Sequence, residues 1–445
     1  IYAREAKGRF ASLRILAMLV LLGLYYVLPW INWHGRQGLL FDLPARKFHF
    51  FSITIWPQDF FYISALLIIA AFALFFFTAL AGRLWCGYAC PQTVWTEAFM
   101  WIENRLEGSR ARRMKLDKGP WNARKIRIKA TKHTVWLVFS LITGFTFVGY
   151  FTPIRELWQH VATFSTGPWE TFWILFYGLA TWGNAGFLRE QVCIYMCPYA
   201  RFQSVMFDPD TMIISYDEAR GEPRGARRKT AAEKKLGDCV DCGICVQVCP
   251  TGIDIRKGLQ YECIGCAACV DACDEVMAKV DSPKGLIRYT TENALSGKGT
   301  HILRPRISVY GAALLAVTAA VFWGLFHLNP VGLDVIRDRL SLFHETNQGL
   351  IENVYTLKVL NKDRMAHEFK VNVSGIEGAK MLLDEPKLVV ESGGVEDFVV
   401  RVQVEPGKLK GERSTEIEFE VESIDPGEEV VSASEEARFL GPTDY

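Results

Sequence analysis

The sequence predicts a multidomain membrane protein with three kinds of domain. These are an α-helical transmembrane bundle of five helices, a cysteine-rich cytoplasmic domain and a C-terminal immunoglobulin-like β-sandwich. Five long apolar runs, 12 cysteines that all precede residue 274, and an alternating C-terminal segment among the 445 residues predict this fold class. The expected boundaries are 1–214 for a four-helix transmembrane region, 215–300 for the cysteine-rich domain with its linkers, 301–330 for the fifth helix and 331–445 for the sandwich.

The transmembrane prediction rests on apolar runs that are long enough to cross a bilayer. An apolar stretch of about 17–25 residues spans the hydrocarbon core as a helix. The first run is too long for the core of a signal peptide and lacks a small-residue cleavage site, so we interpret it as a retained helix. Because the chain begins at Ile1, we expect a few residues to precede it. The five runs are residues 13–31, 60–80, 136–151, 172–188 and 307–328.

The net charge of +1 conceals two parts of opposite sign. Residues 331–445 contain 13 Lys+Arg and 24 Asp+Glu, whereas residues 1–330 contain 37 and 25. Basic segments stay on the cytoplasmic side of a membrane. The N-terminus and the segments 81–132 and 189–305 are basic, so we predict that they are cytoplasmic and that the acidic C-terminal part lies outside.

The basic segment 110–115 is compatible with nucleic-acid or anionic-lipid binding. A positive flank that rests near anionic headgroups is the preferred interpretation. We therefore predict contact with the membrane and no nucleic-acid partner. The charged, glycine-containing segment 224–235 is interpreted as a solvated linker.

Eight cysteines follow the spacing of a bacterial two-cluster ferredoxin. The run C-x2-C-x2-C-x3-C-P is followed by C-x2-C-x2-C-x3-C, and in this pattern the fourth cysteine of each run ligates the other cluster. Two matched runs disfavour a zinc site built from C-x2-C pairs. The predicted ligands are Cys239, Cys242, Cys245 and Cys273 for one [4Fe–4S] cluster, and Cys249, Cys263, Cys266 and Cys269 for the second.

The other four cysteines form two C-x3-C-P motifs, at Cys86/Cys90 and at Cys193/Cys197. Each motif follows a predicted helical hairpin, which indicates an internal repeat of two hairpins about a pseudo-two-fold axis along the membrane normal. On a helix, positions i and i+4 share a face, so each motif would present two thiols. Four converging thiolates would bind Cu(I), zinc or an iron–sulfur cluster, and Met196 is a candidate soft fifth ligand.

The pattern of the C-terminal part predicts β-structure. Residues 354–360, 369–373, 398–404 and 416–422 alternate between apolar and polar side chains, which is typical of half-buried strands. About seven short strands in such a segment favour an immunoglobulin-like sandwich.

This ordered combination of motifs resembles the cytochrome c oxidase accessory proteins of the CcoG, FixG and RdxA type. These are membrane polyferredoxins of Gram-negative bacteria. The resemblance covers nearly the full chain. It implies a multi-pass protein of the inner membrane, with its ferredoxin domain in the cytoplasm and its sandwich in the periplasm. It also implies a cupric reductase that supplies Cu(I) for the copper centre of a cbb-type cytochrome c oxidase.

The leading hypothesis is therefore an electron relay. A cytosolic donor would reduce the two clusters, and Cys86, Cys90, Cys193 and Cys197 would bind copper and form the catalytic site. Two alternatives stay open: a quinol-linked iron–sulfur electron-transfer subunit, and a redox-sensing assembly scaffold. A third cluster at the membrane cysteines also stays open. Oxidase assembly factors or copper chaperones are the expected partners, and homodimerisation is undecided.

Overall fold

The computed structural model describes residues 2–226, 236–327, 329–339, 341–363, 365–383, 388–409, 413–424 and 430–442. They form two compact units, Ile1–Val321 and Phe322–Tyr445. Most of the predicted linker 224–235 lies outside the described residues. The α-helices are Arg9–Val27, Phe60–Ala81, Leu84–Tyr88, Pro91–Glu107, Arg110–Lys118, Ala123–Val148, Ile154–Ala162, Pro168–Gly183, Pro198–Val205, Glu218–Gly221, Ile244–Val248, Ala268–Lys279, Glu292–Leu295 and Pro305–Phe326.

Each of the five predicted apolar runs falls mostly in a helix among the described residues. Within the described residues, three helices are long and apolar enough to cross a membrane: Arg9–Trp30, Phe60–Ala81 and Pro305–Phe326. The other two runs fall in Ala123–Val148 and in Pro168–Gly183, which continues as a π-helix over Asn184–Leu188. The sequence predicts that these two helices also span the membrane, and this stays a prediction.

The helices Ala123–Val148 and Pro168–Gly183 pack closely at two glycines, Gly144 and Gly178. A Cβ built on Gly144 would stand 2.3 Å from the carbonyl oxygen of Ile174 and 2.8 Å from the backbone nitrogen of Gly178. Small residues allow helix backbones to approach in this way, as is common in membrane bundles. The second predicted hairpin, Ala123–Val148 with Pro168–Gly183, is therefore a tightly packed pair.

Short strands complete the first unit. The segment before Phe60–Ala81 holds the three-stranded antiparallel sheet Leu39–Asp42, Lys47–Phe50 and Ile53–Ile55, beside the pair Asn32–Trp33 and Arg36–Gln37. The strands Ile213–Tyr216 and Ile287–Thr290 pair antiparallel on either side of the cysteine-rich segment. Their buried residues pack on the cysteine ligand loops and so close this domain into one core.

A carboxylate from the cysteine-rich domain caps the N-terminus of the first helix, Arg9–Val27. Its own N-cap residue, Gly8, provides no side-chain cap. Instead, the backbone N–H groups of Phe10 and Ala11 donate to the two carboxylate oxygens of Asp271, at 3.2 and 2.7 Å. A carboxylate at a helix N-terminus satisfies free N–H groups and favours the helix dipole. Asp271 therefore joins a membrane helix to the cysteine-rich domain.

The second unit is a two-sheet β-sandwich, as predicted. One sheet has the order Lys380–Leu383, Val395–Val404, Ile351–Asn361, Val331–Arg337, with His344–Glu345 also paired to Ile351–Asn361. The other has the order Leu388–Val390, His367–Ser374, Ser414–Ser423, Ser432–Leu440. Ile417, Phe419 and Val421 are buried in the shared core, which confirms the alternation that the sequence predicts for this strand.

Replacing Asp271 with Ala removes the carboxylate from the N-terminus of the first helix. We expect a loss of about 1–2 kcal/mol, which lowers the thermal midpoint of the detergent-solubilised holoprotein by roughly 2–8 °C. The midpoint can be followed by visible absorbance of the bound clusters. The matched control is Glu275→Ala on the same helix, because that exposed carboxylate pairs only with exposed Lys279. Equal midpoints for the two variants would contradict the capping role.

Candidate metal centres

Four of the predicted ligands surround one cavity in the cysteine-rich domain. The cavity is also walled by apolar residues that include Ile244, Val276 and Leu286. Three of the thiols come from the loop around Ile244–Val248, and the fourth comes from the helix Ala268–Lys279. This pairing across the two runs is the one that the spacing predicts. The four are Cys239, Cys242, Cys245 and Cys273.

The remaining four predicted ligands surround a second cavity. Cys245 also lines this cavity, so the two cavities adjoin at that residue. Ile214, Ile253 and Ile255 supply an apolar wall. The second set is Cys249, Cys263, Cys266 and Cys269.

The two ligand loops share an unusual backbone conformation. The residues on either side of the second cysteine have positive φ in both runs: 53° and 66° at Asp241 and Gly243, and 70° and 56° at Gly265 and Ala267. This left-handed conformation turns successive N–H groups toward one side of a loop, as in backbone anion sites. Both loops thus already have a backbone conformation that can surround an anionic group.

Burial of these thiols fits a metal-bound state. Removal from water raises the pKa of Cys245 to about 11 and of Cys263 and Cys273 to about 12. Neighbouring thiols add to the shift at Cys273, whereas a backbone N–H from Gly265 lowers the pKa of Cys263. Thiols at this density are costly to ionise unless a cation compensates the charge. The eight side chains and both cavities therefore suit two [4Fe–4S] clusters.

The two C-x3-C-P motifs fold alike, but neither lies on a single helix. Cys86 is in Leu84–Tyr88 and Cys193 is in the π-helix Val192–Met196, whereas Cys90 and Cys197 are extended residues that precede a new helix. Proline occupies the first turn of each new helix and forces the residue before it out of the helical region. The expectation that each motif shows both thiols on one helical face is wrong for this reason.

The same closing hydrogen bond recurs in both motifs. The N–H of Cys90 donates to the carbonyl of Trp85 at 2.9 Å, and the N–H of Cys197 donates to the carbonyl of Val192 at 2.8 Å. In each case the bond spans five residues and ends just before the proline. This equivalence supports the internal repeat at the level of the motifs.

The fold brings the four thiols into one neighbourhood. Burial raises the pKa of Cys86 to about 12; the nearby thiols of Cys90, Cys193 and Cys197 also raise it, and Arg83 opposes them. Within the part of the chain that the structure describes, no group of three or more His, Cys, Asp or Glu side chains is placed so that it could hold a single metal ion. The four thiols are neighbours but do not form a closed mononuclear site.

The bulky side chains within the two motifs, Trp85, Tyr88, Tyr195 and Met196, differ in position. Met196 is 60% exposed and Tyr195 is 73% exposed, and Trp85 also faces outward. Tyr88 alone of the four turns inward, where its hydroxyl lies 3.3 Å from that of Tyr289. The Tyr289 hydroxyl in turn donates to the carbonyl of Gly265 at 2.6 Å. A role for Met196 as a ligand stays an untested prediction.

Two polar residues that sequence reasoning missed hold the thiol site in place. The guanidinium of buried Arg83 donates to the carbonyls of Tyr261, Cys263 and Ala200, and so ties the first motif to the second ligand loop and to the helix after the second motif. The thiol of Cys86 donates to Oε1 of Gln203, which is fully buried, at 3.2 Å. Neither residue carries a local pattern that separates it from ordinary polar side chains.

The first thiol motif lies directly against the second ligand loop. A Cβ built on Gly87 would stand 2.9 Å from the carbonyl oxygen of Gly265 and 3.0 Å from both the backbone nitrogen and Cα of Cys266. Cys86 itself packs with Cys266 and Cys269 in one apolar cluster. The absence of a side chain at Gly87 thus brings the two groups of cysteines into backbone contact.

Comparison with known proteins agrees with this architecture. A 4Fe–4S dicluster domain family matches residues 188–292, and a 4Fe–4S binding domain family matches residues 63–110. Residues 321–442 match the immunoglobulin-like fold at the C-terminus of FixG, a family described as a putative oxidoreductase.

Two relatives align along most of their length. The nitrogen fixation protein FixG of Rhizobium meliloti is 39% identical over 420 residues, covering 86% of this chain and 80% of the relative. Protein RdxB of Cereibacter sphaeroides is 39% identical over 450 residues, covering 97% and 94%. This chain belongs to the FixG family. A solved FixG-related protein from Vibrio parahaemolyticus is 31% identical and covers 25% of this chain and 97% of its own, with a TM-score of 0.22.

Membership of the FixG family establishes the coarse biochemical class. The chain is a membrane iron–sulfur protein of the electron-transfer type with two [4Fe–4S] clusters. The predicted resemblance, the ferredoxin-type domain and the immunoglobulin-like fold are confirmed. The individual ligand assignments stay predictions that the two cavities support.

Adding one methyl group at Gly87 tests the contact between the motif and the ligand loop. Gly87→Ala places a Cβ against backbone atoms that cannot rotate away, so the loops must separate at a cost of about 1–3 kcal/mol. We expect the electron paramagnetic resonance (EPR) spectrum of the reduced second cluster to change while that of the first stays. Gly23→Ala is the control, because nothing lies within 4 Å of a Cβ at that position. Unchanged spectra in Gly87→Ala would refute the contact.

Proposed function

We propose that this FixG-family protein is a cupric reductase. It receives electrons from a cytosolic donor and reduces Cu(II) to Cu(I) at the thiols of Cys86, Cys90, Cys193 and Cys197. The Cu(I) then serves the assembly of a cbb-type cytochrome c oxidase. The observation that carries this proposal is the backbone contact of Gly87 with the Gly265–Cys266 turn, since it sets the thiol motif directly against a cluster-binding loop.

The cysteine-rich domain provides the electron carriers. Its eight predicted cysteine ligands would hold two [4Fe–4S] clusters, which supply one-electron carriers when bound. Cys245 lines both cavities, and Cys86 packs on two ligands of the second. The spatial order of contacts is thus first cavity, second cavity, thiol motif. One electron at a time suits the conversion of Cu(II) to Cu(I), which takes up one electron.

The thiol site has the chemistry that a cupric reductase requires. Soft sulfur ligands favour Cu(I) over Cu(II), so binding assists the reduction. Each copper–sulfur bond displaces the thiol proton to solvent, and the positive charge of Arg83 lowers the pKa of Cys86 and Cys193 against the effect of burial. Cu(I) accepts low coordination numbers, so a subset of the four neighbouring thiols is enough to hold it.

A second candidate for the same four cysteines is a third cluster. The family described as a 4Fe–4S binding domain matches residues 63–110, and the cysteines in that segment are Cys86 and Cys90. The second motif would complete the ligand set. Iron analysis separates the two candidates, because a third cluster raises the iron content from that of two [4Fe–4S] clusters to that of three.

We also propose a topology and a delivery step. The N-terminus and the cysteine-rich domain face the cytoplasm of the inner membrane, and the β-sandwich lies in the periplasm, in keeping with the charge distribution. The sandwich would dock oxidase assembly factors or a copper chaperone. Its net negative charge suits a basic surface on such a partner.

Cupric reduction can be tested with protein whose clusters are reduced chemically beforehand. We expect one Cu(I) for each electron stored when Cu(II) is added anaerobically, measured with a Cu(I)-specific chelator after gel filtration. The variant with Ser at Cys86, Cys90, Cys193 and Cys197 should keep both clusters, lose retained copper and react at least about tenfold more slowly. The control variant is Val205→Ala, which should behave as wild type, because Val205 is 80% exposed and carries no metal-binding atom on the helix that follows the second motif. Equal copper retention and rate in the four-serine variant would overturn the proposal.

A further inference from the structure

A large cavity of the first unit lies between the first membrane helix and the helix Pro91–Glu107. Its volume is about 520 Å³, within the range of small-molecule sites. One end is apolar and is lined by Ile15, Met18, Leu19, Leu22, Trp101 and Phe139. Ile15 and Leu19 are exposed on a helix that is apolar and long enough to span a membrane. This end of the cavity therefore opens where lipid chains would lie.

The other end of the cavity is polar and holds an ion pair. Arg14 and Glu97 join through a 3.3 Å bond, and their side chains are only 13% and 23% exposed. The Nε atom of Arg14 is buried and has no hydrogen-bond partner among the described residues. An N–H donor and a carboxylate acceptor are thus held side by side at the head of an apolar channel.

The polar end continues toward the metal centres. A smaller cavity shares Arg14, Glu97 and Pro250 with the large one and extends to Cys193 and Cys266. The guanidinium of Arg14 lies beside the Cys266 thiol. The head of the channel therefore adjoins both a predicted ligand of the second cluster and one of the membrane thiols.

We propose that this cavity binds an isoprenoid quinone, with the head group against the Arg14–Glu97 pair and the tail along the apolar channel. A quinone carbonyl accepts from the Arg14 guanidinium, and a quinol hydroxyl donates to the Glu97 carboxylate. The inference deepens the proposed electron-transfer function, because it gives the protein a redox partner in the membrane beside the cytosolic donor that the sequence predicts.

The charges around the head group favour a neutral ligand. The charged residues of the lining nearly balance, with Arg4, Arg14 and Arg113 against Glu5 and Glu97. Arg14 is paired with Glu97, and Arg113 is paired with Glu103 at 2.8 Å. A phospholipid phosphate would have to compete with these carboxylates, whereas a quinone carbonyl needs only an N–H donor, which Nε of Arg14 provides, and Glu97 serves as an acceptor once the head group is reduced to the quinol. Only a redox-active occupant could exchange electrons with a cluster held by the adjoining cysteine ligand loop.

Binding can be measured by isothermal titration calorimetry of decylubiquinone into the detergent-solubilised holoprotein. We expect saturable binding at one site, at least about tenfold weaker in Glu97→Gln. Leu19→Trp, which adds bulk at the exposed wall of the channel, should also weaken it at least about tenfold. The matched control is Leu16→Trp, because Leu16 is similarly exposed on the same helix but does not line the cavity. Unchanged cluster EPR spectra in all three variants show that the fold is retained.

The outcomes separate this inference from the proposed function. Equal affinities in Glu97→Gln, Leu19→Trp and wild type would overturn the quinone site, as would displacement of decylubiquinone by phosphatidylglycerol vesicles at equal concentration. Cupric reduction by chemically reduced protein does not involve the cavity. Its failure with intact quinone binding would count against the copper proposal alone.

Discussion

The arrangement of this protein depends on backbone contact between two loops that are far apart in sequence. Gly87, inside the first thiol motif, touches Gly265 and Cys266, inside the second cluster-binding run. Only a residue without a Cβ permits this approach, and Arg83 and Asp271 hold the same boundary by hydrogen bonds on either side of it. These contacts fasten the cysteine-rich domain to the membrane segments, and they hold the two groups of thiols close together while the domain stays folded. This proximity is what makes a relay physically reasonable.

Sequence reasoning predicted those features that depend on local spacing. The short x2 spacings place three neighbouring thiols on each ligand loop, and each cavity adds the fourth cysteine of the other run, in agreement with the ferredoxin pattern. The strand with Ile417, Phe419 and Val421 follows from its period of two. The breaks before Pro91 and Pro198 were missed, although proline restricts the residue before it and so carries a local signal. Arg83, Gln203 and Asp271 carry no such signal. Their partners lie more than about a hundred residues away, and only the tertiary fold assigns them.

The cavity at Arg14 and Glu97 belongs to the same class of long-range features. Arg14 is the one charge inside the first apolar run, where an ionisable group is expensive unless it is paired. Its partner comes from the helix after the first thiol motif, and its neighbour Cys266 comes from the second cluster-binding run. An arginine placed at this junction links the apolar channel to the metal centres. Arg14 at the edge of the run therefore does more than follow the positive-inside rule, because it also lies between the cavity and the second cysteine run.

The two thiol motifs also need a fixed spacing from each other, and a buried ion network provides it. Glu103, on the helix that follows the first motif, accepts from Arg189, just before the second motif, at 3.2 Å, and also contacts Arg113 and Lys132. Burial alone would raise the pKa of Glu103, but Arg189, Lys132 and Arg113 together lower it. A depressed carboxyl pKa adds stability above the unfolded value of about 4.5, and this stability is lost only as the pH falls through the folded value. The carboxylate is thus charged throughout the neutral range. Breaking a buried pair of this kind leaves an uncompensated charge, so the network holds the helix after the first motif against the residues just before the second.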